Sequence, residues 1–192
     1  VRSSAVGEDA PDKSFAGLHE SFVGVTGTTD VVERVRQVWA SLWSDAALLY
    51  RRELKLDPCQ SQMAVIIQRL VARNRSGVAF GRDPRDPSLD CAIVESVPGL
   101  CSNLVDGVIE PQTWTLHPSS GTVLSAPKDT TTPLLDVSDL ERIVYCLRKV
   151  ESQLGWAPDL EWTGRQERFT LLQARPITDR SAQEDDQRLW YL

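Results

Sequence analysis

The spacing of apolar residues predicts two helices in the first third of the chain. In residues 29–43, apolar side chains recur at three- and four-residue steps, which is typical of an amphipathic helix that begins at Thr29 or Asp30. The pattern continues through residues 46–54, where a second helix is expected.

A longer amphipathic helix is predicted nearer the C-terminus. Ser138 and Glu141 have the spacing of a capping box, and an apolar stripe with helical periodicity follows them. Gly155 lies where the stripe ends, and glycine commonly closes helices.

The remaining pattern is that of strands. Residues 63–71 form a nearly continuous apolar run rich in β-branched side chains, which predicts a strand buried on both faces. Further strands are expected at residues 76–80, 91–97, 107–114 and 115–124. Two β-like runs, residues 159–162 and 169–175, flank a polar turn containing Gly164 and predict a hairpin. This order of elements indicates an α+β fold with a mostly antiparallel sheet and flanking helices.

Composition narrows the class of protein. A chain of 192 residues with 41% hydrophobic and 25% charged residues suits a soluble globular protein. Its net charge of −6 gives no basic surface for nucleic acid, and its apolar runs are too short to cross a membrane. Four cysteines without C-x-x-C spacing predict reduced thiols, which favours the cytoplasm. Because the chain does not begin with Met, we expect it to be a piece of a longer protein.

The predicted hairpin carries an unusual set of polar side chains. Strand alternation places four residues on one face: Phe169, Leu171, Gln173 and Arg175. Glu161 lies on the partner strand. Glu161 and Gln173 offer the oxygen ligands that Mg²⁺ prefers, and the guanidinium of Arg175 can bind phosphate bidentately. Spacing alone leaves two hypotheses open, a metal and phosphate site or a surface hairpin with a weak Glu–Arg pair.

Two other segments suggest ligand contacts. The N-terminal segment offers a cation, hydroxyls and small residues whose amides can approach phosphate oxygens: Arg2, Ser3, Ser4, Ser14, Ala16 and Gly17. It matches neither a Walker nor a G-x-G-x-x-G pattern, so a plain polar loop is the alternative. Gln68 and Arg69 follow apolar residues of the run at 63–71 and could border a purine, the alternative being a core strand that reaches the surface.

Together these segments resemble a known family, the ATP-binding domain of phosphoenolpyruvate synthase and pyruvate phosphate dikinase, of ATP-grasp type. The matching stretches are VRSSAVGEDAPDKSFAGLHESF, VWASLWSDAALLYRR, MAVIIQRLV with SGVAFGRDP, VPGLCSNLVDGVIEP and APDLEWTGRQERFTLLQARPIT. They occur in the family's order and cover nearly the whole chain. The resemblance implies that residues 1–178 are the C-terminal portion of an ATP-grasp domain and that residues 179–192 are an exit segment.

The resemblance also implies roles for individual residues. Arg2 and Arg175 would contact ATP phosphates, and Glu161 and Gln173 would bind Mg²⁺. Glu95 would lie near the ribose. Four consecutive residues would border the adenine: Gln68, Arg69, Leu70 and Val71. Ser14 and Gly17 belong to the segment whose amides would approach the phosphates.

Family members pass a phosphoryl group from ATP to a histidine on a separate swivelling domain and then to an acceptor such as pyruvate. The resemblance therefore implies a phosphotransferase that uses ATP and Mg²⁺, with histidine-bearing and acceptor-binding domains elsewhere in the full-length protein and an inactive isolated chain. Antibiotic phosphotransferases and glucan dikinases share this module, so the acceptor stays open. Where the family reads G-L-G-E, this chain has Cys101 and Ser102 after Gly99 and Leu100, which keeps a non-catalytic nucleotide-sensing module as a further alternative.

Overall fold

The structure of the chain, a computed structural model, describes residues 1–6, 18–105, 109–128, 132–165 and 168–177. It divides into two units, Val1–Leu70 and Val71–Leu192. The first contains a two-stranded sheet and the second a six-stranded sheet, so each unit builds its own layers of helix and strand.

In the first unit, helices accompany a small antiparallel sheet. Its main elements are β1 (Arg2–Ala5), α1 (Thr28–Ala40), α2 (Asp45–Glu53) and β2 (Met63–Ile66). The helix α1 contacts both strands, and Arg2 on β1 lies opposite Ile66 on β2. Both predicted helices are confirmed. α1 begins one residue before Thr29 and follows Gly27 without a side-chain cap, whereas the Ser44 side chain caps α2.

The prediction of a buried strand over residues 63–71 is wrong. Among the described residues, β2 pairs with β1 alone and ends at Ile66, and alternate side chains along it are exposed. Ile67 is 64% exposed, and residues 67–70 continue without regular structure. An apolar, β-branched run also suits an edge strand with one covered face, and the sequence pattern does not distinguish the two cases.

The second unit is built around the six-stranded sheet. Its strands are β3 (Arg75–Phe80), β4 (Ala92–Pro98), β5 (Gln112–Leu116), β6 (Val123–Ser125), β7 (Pro158–Thr163) and β8 (Thr170–Pro176). They lie in the order β6-β5-β4-β3-β7-β8, and each neighbouring pair is antiparallel. A single helical turn, α3 (Ser102–Val105), lies between β4 and β5 in the chain. The strands predicted at 76–80 and 91–97, and the antiparallel pairing of the predicted hairpin, are confirmed.

The strands predicted at residues 107–114 and 115–124 are shorter than expected. β5 begins at Gln112, and β6 has only three residues. A turn separates them, in which the His117 amide donates to the Thr122 carbonyl over 2.8 Å. Residues 107 and 108 lie outside the described part of the chain.

One long helix, α4 (Val137–Leu154), packs on one face of the six-stranded sheet. The buried side chains of this interface include Ala79, Val94, Trp114, Leu140, Ile143, Val144, Leu147, Leu160 and Trp162. Burial of each large apolar side chain contributes roughly 1.5–3 kcal/mol, so this interface is the main source of stability in the unit. The predicted α+β class is confirmed by this arrangement of helices and antiparallel strands. Within the described ranges, no helix combines the length and apolar character required to span a membrane.

The capping box of α4 lies earlier than the sequence predicted. Asp136, not Ser138, is the N-cap: its carboxylate accepts from the Asp139 amide over 2.9 Å, and the Asp139 carboxylate accepts from the Asp136 amide over 3.2 Å. Aspartate caps helices as well as serine does, so the sequence allowed both boxes. Gly155 closes α4 in the left-handed conformation with φ of +79°, as predicted.

Candidate functional site

A row of polar side chains crosses the six-stranded sheet on the face opposite α4. Glu95 on β4 lies opposite Val78 on β3, which in turn lies opposite Glu161 on β7. Glu161 lies opposite Gln173 on β8. Paired residues point to the same face of a sheet, whereas Leu160, next to Glu161, points into the α4 core. We call Glu95, Glu161 and Gln173 the polar row.

Two members of the polar row are direct neighbours. Cross-strand partners have Cβ atoms about 4.5–5.5 Å apart, so the side chains of Glu161 and Gln173 can reach a common ligand. Glu95 is two strands from Glu161, which corresponds to roughly 10 Å. All three side chains are partly buried. The row therefore presents two carboxylates and an amide along one line across the sheet.

A β-bulge determines which side chains of β8 join the polar row. The register shifts after Glu161, which lies opposite Gln173, so that Trp162 lies opposite Leu171. Trp162 is fully buried in the α4 core, and Phe169 stacks on it with ring centroids 5.8 Å apart. The prediction that Phe169 and Leu171 share a face with Gln173 is therefore wrong, because the bulge inserts one residue and reverses the alternation.

An ion pair lies beside the polar row on the same face. Arg175 is opposite Asp159, one alternation step from the pair of Gln173 and Glu161. The Arg175 Nε donates to the Asp159 Oδ2 over 2.7 Å. The Asp159 side chain is 8% exposed and the Arg175 side chain 38% exposed, so a buried carboxylate holds a partly exposed guanidinium next to the row.

The thiol of Cys101 belongs to the same surroundings. Cys101 is 8% exposed, and burial raises the pKa of its thiol to about 12, with a further contribution from the negative charges of Glu161 and Asp159. The turn at residues 99–101 therefore lies close enough to Glu161 and Asp159 for their charges to act on the thiol. A thiol with this pKa stays protonated and unreactive at neutral pH.

The other predicted contacts belong to different parts of the chain. Arg2 lies on β1 of the first unit. Gln68 and Arg69 are exposed and follow the end of β2, so the expectation that they lie on a strand is wrong. Leu70 ends the first unit, and Val71 begins the second. Ser14 and Gly17 lie outside the described residues.

The oxygen donors of Glu161 and Gln173 fit a hard cation that is shared with a phosphate ligand. Mg²⁺ is usually bound by one or two protein carboxylates and completes its coordination shell with waters and substrate phosphates. Among the described residues, no group of three or more His, Cys, Asp or Glu could hold a metal ion. Glu161 and Gln173 can therefore contribute part of a magnesium shell, and a ligand would have to supply the rest.

Sequence reasoning missed Asp159 as a site residue. Asp159 lies two positions before Glu161, just as Arg175 lies two positions after Gln173. In an antiparallel pair these positions are cross-strand partners, so the ion pair could have been inferred from alternation and register. The proximity of Cys101 to Asp159 and Glu161 depends on the turn that follows β4. No pattern in the sequence predicts it.

Comparison with known proteins identifies the family to which this chain belongs. Residues 1–132 match the family described as the pyruvate phosphate dikinase AMP/ATP-binding domain. The match covers more than half of the chain, and the chain therefore belongs to this family.

The relatives of the chain are larger proteins. It is 40% identical to a phosphoenolpyruvate synthase of Aeropyrum pernix over 160 residues, which cover 83% of the chain and 17% of that protein. It is 30% identical to a rifampicin phosphotransferase of Streptomyces sviceus over 199 residues, which cover 93% of the chain and 23% of the relative. For a probable phosphoenolpyruvate synthase of Archaeoglobus fulgidus, the identity is 30%, covering 93% of the chain and 26% of the relative. The chain thus spans about a quarter of these relatives or less.

Proposed function

We propose that the chain is an ATP- and Mg²⁺-binding part of a phosphotransferase, and that the polar row and Arg175 belong to that site. The observation that carries the proposal is the strand register. Glu161 and Gln173 are cross-strand partners, and Arg175 lies two residues from Gln173 on the same face. Membership in a family of AMP/ATP-binding domains supports a nucleotide as the ligand.

Glu161 and Gln173 would hold the Mg²⁺ ion through a carboxylate and an amide oxygen. Held by these two residues, Mg²⁺ would supply positive charge that neutralises the phosphates of the nucleotide. The bulge after Glu161 supports this role, because it keeps Gln173 opposite Glu161 while Trp162 stays in the core. The contribution of the protein is to hold two oxygen donors at a fixed spacing.

Arg175 would donate hydrogen bonds to phosphate oxygens, with Asp159 fixing the guanidinium through its Nε. The family resemblance also implies a phosphate contact for Arg2. Glu95 would contact the ribose; its separation of roughly 10 Å from Glu161 is compatible with the distance between the sugar and the phosphates of an extended nucleotide. The remaining proposed contacts are those implied by the family resemblance, at Ser14, Gly17, Gln68, Arg69, Leu70 and Val71.

In the parent protein, these residues would support transfer of a phosphoryl group from ATP to a histidine on a separate domain and then to pyruvate, in the cytoplasm. Phosphoryl transfer is catalysed mainly by positioning and charge neutralisation, which a carboxylate, an amide and a guanidinium can supply. Residues 1–178 would be the C-terminal portion of an ATP-grasp domain, and the isolated chain would be inactive. The greater length of the relatives supports the need for further domains.

Two alternatives have specific support. A rifampicin phosphotransferase among the relatives favours an antibiotic as the final acceptor, and a glucan dikinase would use the same nucleotide site. Cys101 and Ser102, in place of the glycine and glutamate expected from the resemblance, favour a nucleotide sensor without phosphoryl transfer. Both alternatives keep the polar row as the nucleotide site.

The proposal is tested in the full-length protein with Glu161→Ala and Arg175→Ala. Either change should reduce ATP-dependent labelling of the histidine domain by about 10²–10³-fold, because charge stabilisation at the phosphates is lost. Glu141→Ala is the matched control, since Glu141 is an exposed carboxylate on α4. Wild-type labelling in the Glu161 and Arg175 variants would rule the assignment out.

Titration calorimetry with Mg·ATP separates the sensor from the enzyme. An enzyme should bind Mg·ATP and form phosphoenzyme, whereas a sensor should bind without labelling. Adding pyruvate, a rifamycin antibiotic or a glucan to the labelled protein then identifies the acceptor by the loss of label.

A further inference from the structure

The turn at residues 99–101 is fixed to the sheet by hydrogen bonds at Gly99. The hydroxyl of Ser76, on β3, donates to the Gly99 carbonyl over 2.7 Å. The Gly99 amide donates to the Asn74 carbonyl over 2.9 Å. Gly99 has φ of +78°, a conformation that glycine adopts without strain. Gly99 is therefore held on both sides of its backbone, immediately before the segment that carries Cys101.

The Ser76 hydroxyl is in turn within hydrogen-bonding distance of the Thr163 hydroxyl. The Thr163 Oγ1, on β7, lies 2.9 Å from the Ser76 Oγ and also donates to the Arg75 carbonyl over 3.0 Å. Ser76 is 1% exposed and Thr163 is fully buried. Because the Ser76 proton is used for Gly99, the single Thr163 proton is shared between the Arg75 carbonyl and the Ser76 oxygen. We call Ser76 and Thr163 the hydroxyl pair.

The hydroxyl pair and the polar row share one face of the sheet. Ser76 is opposite Thr163, and two residues along the same strands Val78 is opposite Glu161. Strand alternation therefore aims the hydroxyl pair and Glu161 in the same direction. The turn that the pair holds brings Cys101 under the influence of the Glu161 and Asp159 charges. Two buried hydroxyls, one alternation step from Glu161, thus connect the sheet to the turn that carries Cys101.

We propose that Ser76 and Thr163 are positioning residues that hold the turn at residues 99–101 against the polar row and thereby set the affinity for the nucleotide without touching it. The nucleotide part of this inference rests on the proposed function. A side-chain hydrogen bond to a backbone carbonyl changes an equilibrium by about two- to tenfold, so loss of the hydroxyl should free the turn without unfolding the sheet.

The turn is tested in the full-length protein by alkylation with N-ethylmaleimide, resolved for each cysteine by mass spectrometry. Ser76→Ala should raise the alkylation rate of Cys101 about tenfold, because the turn is released and the buried thiol gains access to solvent. Cys91, which is also buried in the second unit, reports general loosening and should not change. Exposed Cys59 verifies that the reagent is active.

The substitutions at Thr163 separate the hydroxyl from side-chain shape. Thr163→Val keeps the volume and removes the hydroxyl, so it should also raise alkylation of Cys101. Thr163→Ser keeps the hydroxyl and should behave like the wild type. Ser96→Ala is the matched control: the Ser96 hydroxyl, on the other face, donates to the Ser76 carbonyl over 3.3 Å, so this variant removes a buried hydrogen bond at Ser76 but none to the turn. Equal acceleration at Cys91 and Cys101, or no acceleration at Cys101, would overturn the positioning role.

The affinity for Mg·ATP completes the test. Ser76→Ala and Thr163→Val should weaken binding about two- to tenfold, whereas Ser96→Ala should not. Unchanged binding together with faster alkylation of Cys101 would overturn the link between the turn and the nucleotide. If the wild type itself binds no Mg·ATP, the proposed function fails with the nucleotide part of the inference, while the alkylation rates still decide whether the hydroxyl pair holds the turn.

Discussion

The two faces of the six-stranded sheet differ sharply over a few neighbouring residues of β7. Leu160 and Trp162 are at most 1% exposed and pack in the α4 core. Asp159, Glu161 and Thr163 alternate with them and point to the other face, where the polar row, the ion pair and the hydroxyl pair lie. Along β7, the residues of the α4 core therefore lie on one face and the candidate chemistry on the other. Substitutions one residue apart should report on different properties.

The largest effect on stability is expected at Trp162. Trp162→Ala should lower the free energy of unfolding by about 3–5 kcal/mol, because a fully buried indole and its stacking on Phe169 are lost. Glu161→Ala should cost less than about 1 kcal/mol, since Glu161 is only partly buried and lies outside the core. Urea unfolding followed by circular dichroism measures both. Equal costs would contradict the division between the two faces.

A second effect on the core face is expected at Gly77. A Cβ atom at this position would lie 1.9 Å from the Glu95 carbonyl oxygen and 2.7 Å from the Trp162 Cζ2. Gly77→Ala should therefore force β3 away from its neighbours and cost about 1–3 kcal/mol or more by thermal unfolding. Ser96→Ala, at the paired position on β4, adds no atoms and is the control. A stable Gly77→Ala protein would show that the contact of Trp162 with β3 is not tight.

On the polar face, the ion pair of Asp159 and Arg175 should contribute moderately to stability and should strongly determine the position of the Arg175 guanidinium. Asp159→Ala should cost about 1–2 kcal/mol, less than a fully buried pair, because water screens the partly exposed Arg175. In the full-length protein it should also weaken Mg·ATP binding, since the guanidinium loses the acceptor at its Nε. Asp159→Asn retains an oxygen acceptor and should recover part of that loss. Unchanged nucleotide binding in both variants would indicate that the pair is only structural.

The smallest effect is expected at the N-cap of α4, away from both faces. Asp136→Ala should cost about 1 kcal/mol, because the capping hydrogen bond to Asp139 is lost. A hydrogen bond from the Ser138 hydroxyl, and one from the Asp139 amide, lower the pKa of Asp136 in the folded state. A lowered pKa adds stability above the unfolded-state value, and this contribution disappears as the pH falls through the folded-state value.

Urea unfolding at two pH values measures this contribution. The difference in unfolding free energy between wild type and Asp136→Ala should therefore be larger at pH 7 than at about pH 3, where the carboxylate begins to be protonated. Asp136→Asn is the control, because it caps the helix without a titrating charge. A difference that does not change with pH would contradict this account.

The sequence predicted elements well where one pattern dominated. The apolar stripe of α4 and its closing Gly155, the strands β3 and β4, and the pairing of β7 with β8 follow from local periodicity and turn residues. The end of β2 at Ile66 was not predictable, because it depends on pairing with β1, its partner among the described residues, and β1 contributes only four paired positions. The capping box was predicted at Ser138 and Glu141 but is formed by Asp136 and Asp139, because the sequence is compatible with either pair.

For the candidate site, the sequence supplied residue types and the structure supplied neighbours. The sequence predicted Gln173 on one strand of the hairpin and Glu161 on the partner strand, and the register shows that the two are cross-strand neighbours. It could not give the bulge, which moves Phe169 and Leu171 to the other face. The contribution of Cys101 required the folded turn, since no periodicity links residue 101 to residues 159 and 161.

The bulge between β7 and β8 also affects how this segment can change in evolution. In a regular strand, parity is fixed: residues at even separation share a face, and a single insertion exchanges every side chain beyond it. Here the bulge shifts the alternation by one residue within β8. Selection on core packing can therefore act on the part near Phe169, while selection on ligand binding acts on the part from Gln173 to Arg175. Deletion of Leu172 would restore regular alternation along β8. The side chains near Phe169 and those from Gln173 to Arg175 could then no longer be directed to their faces independently.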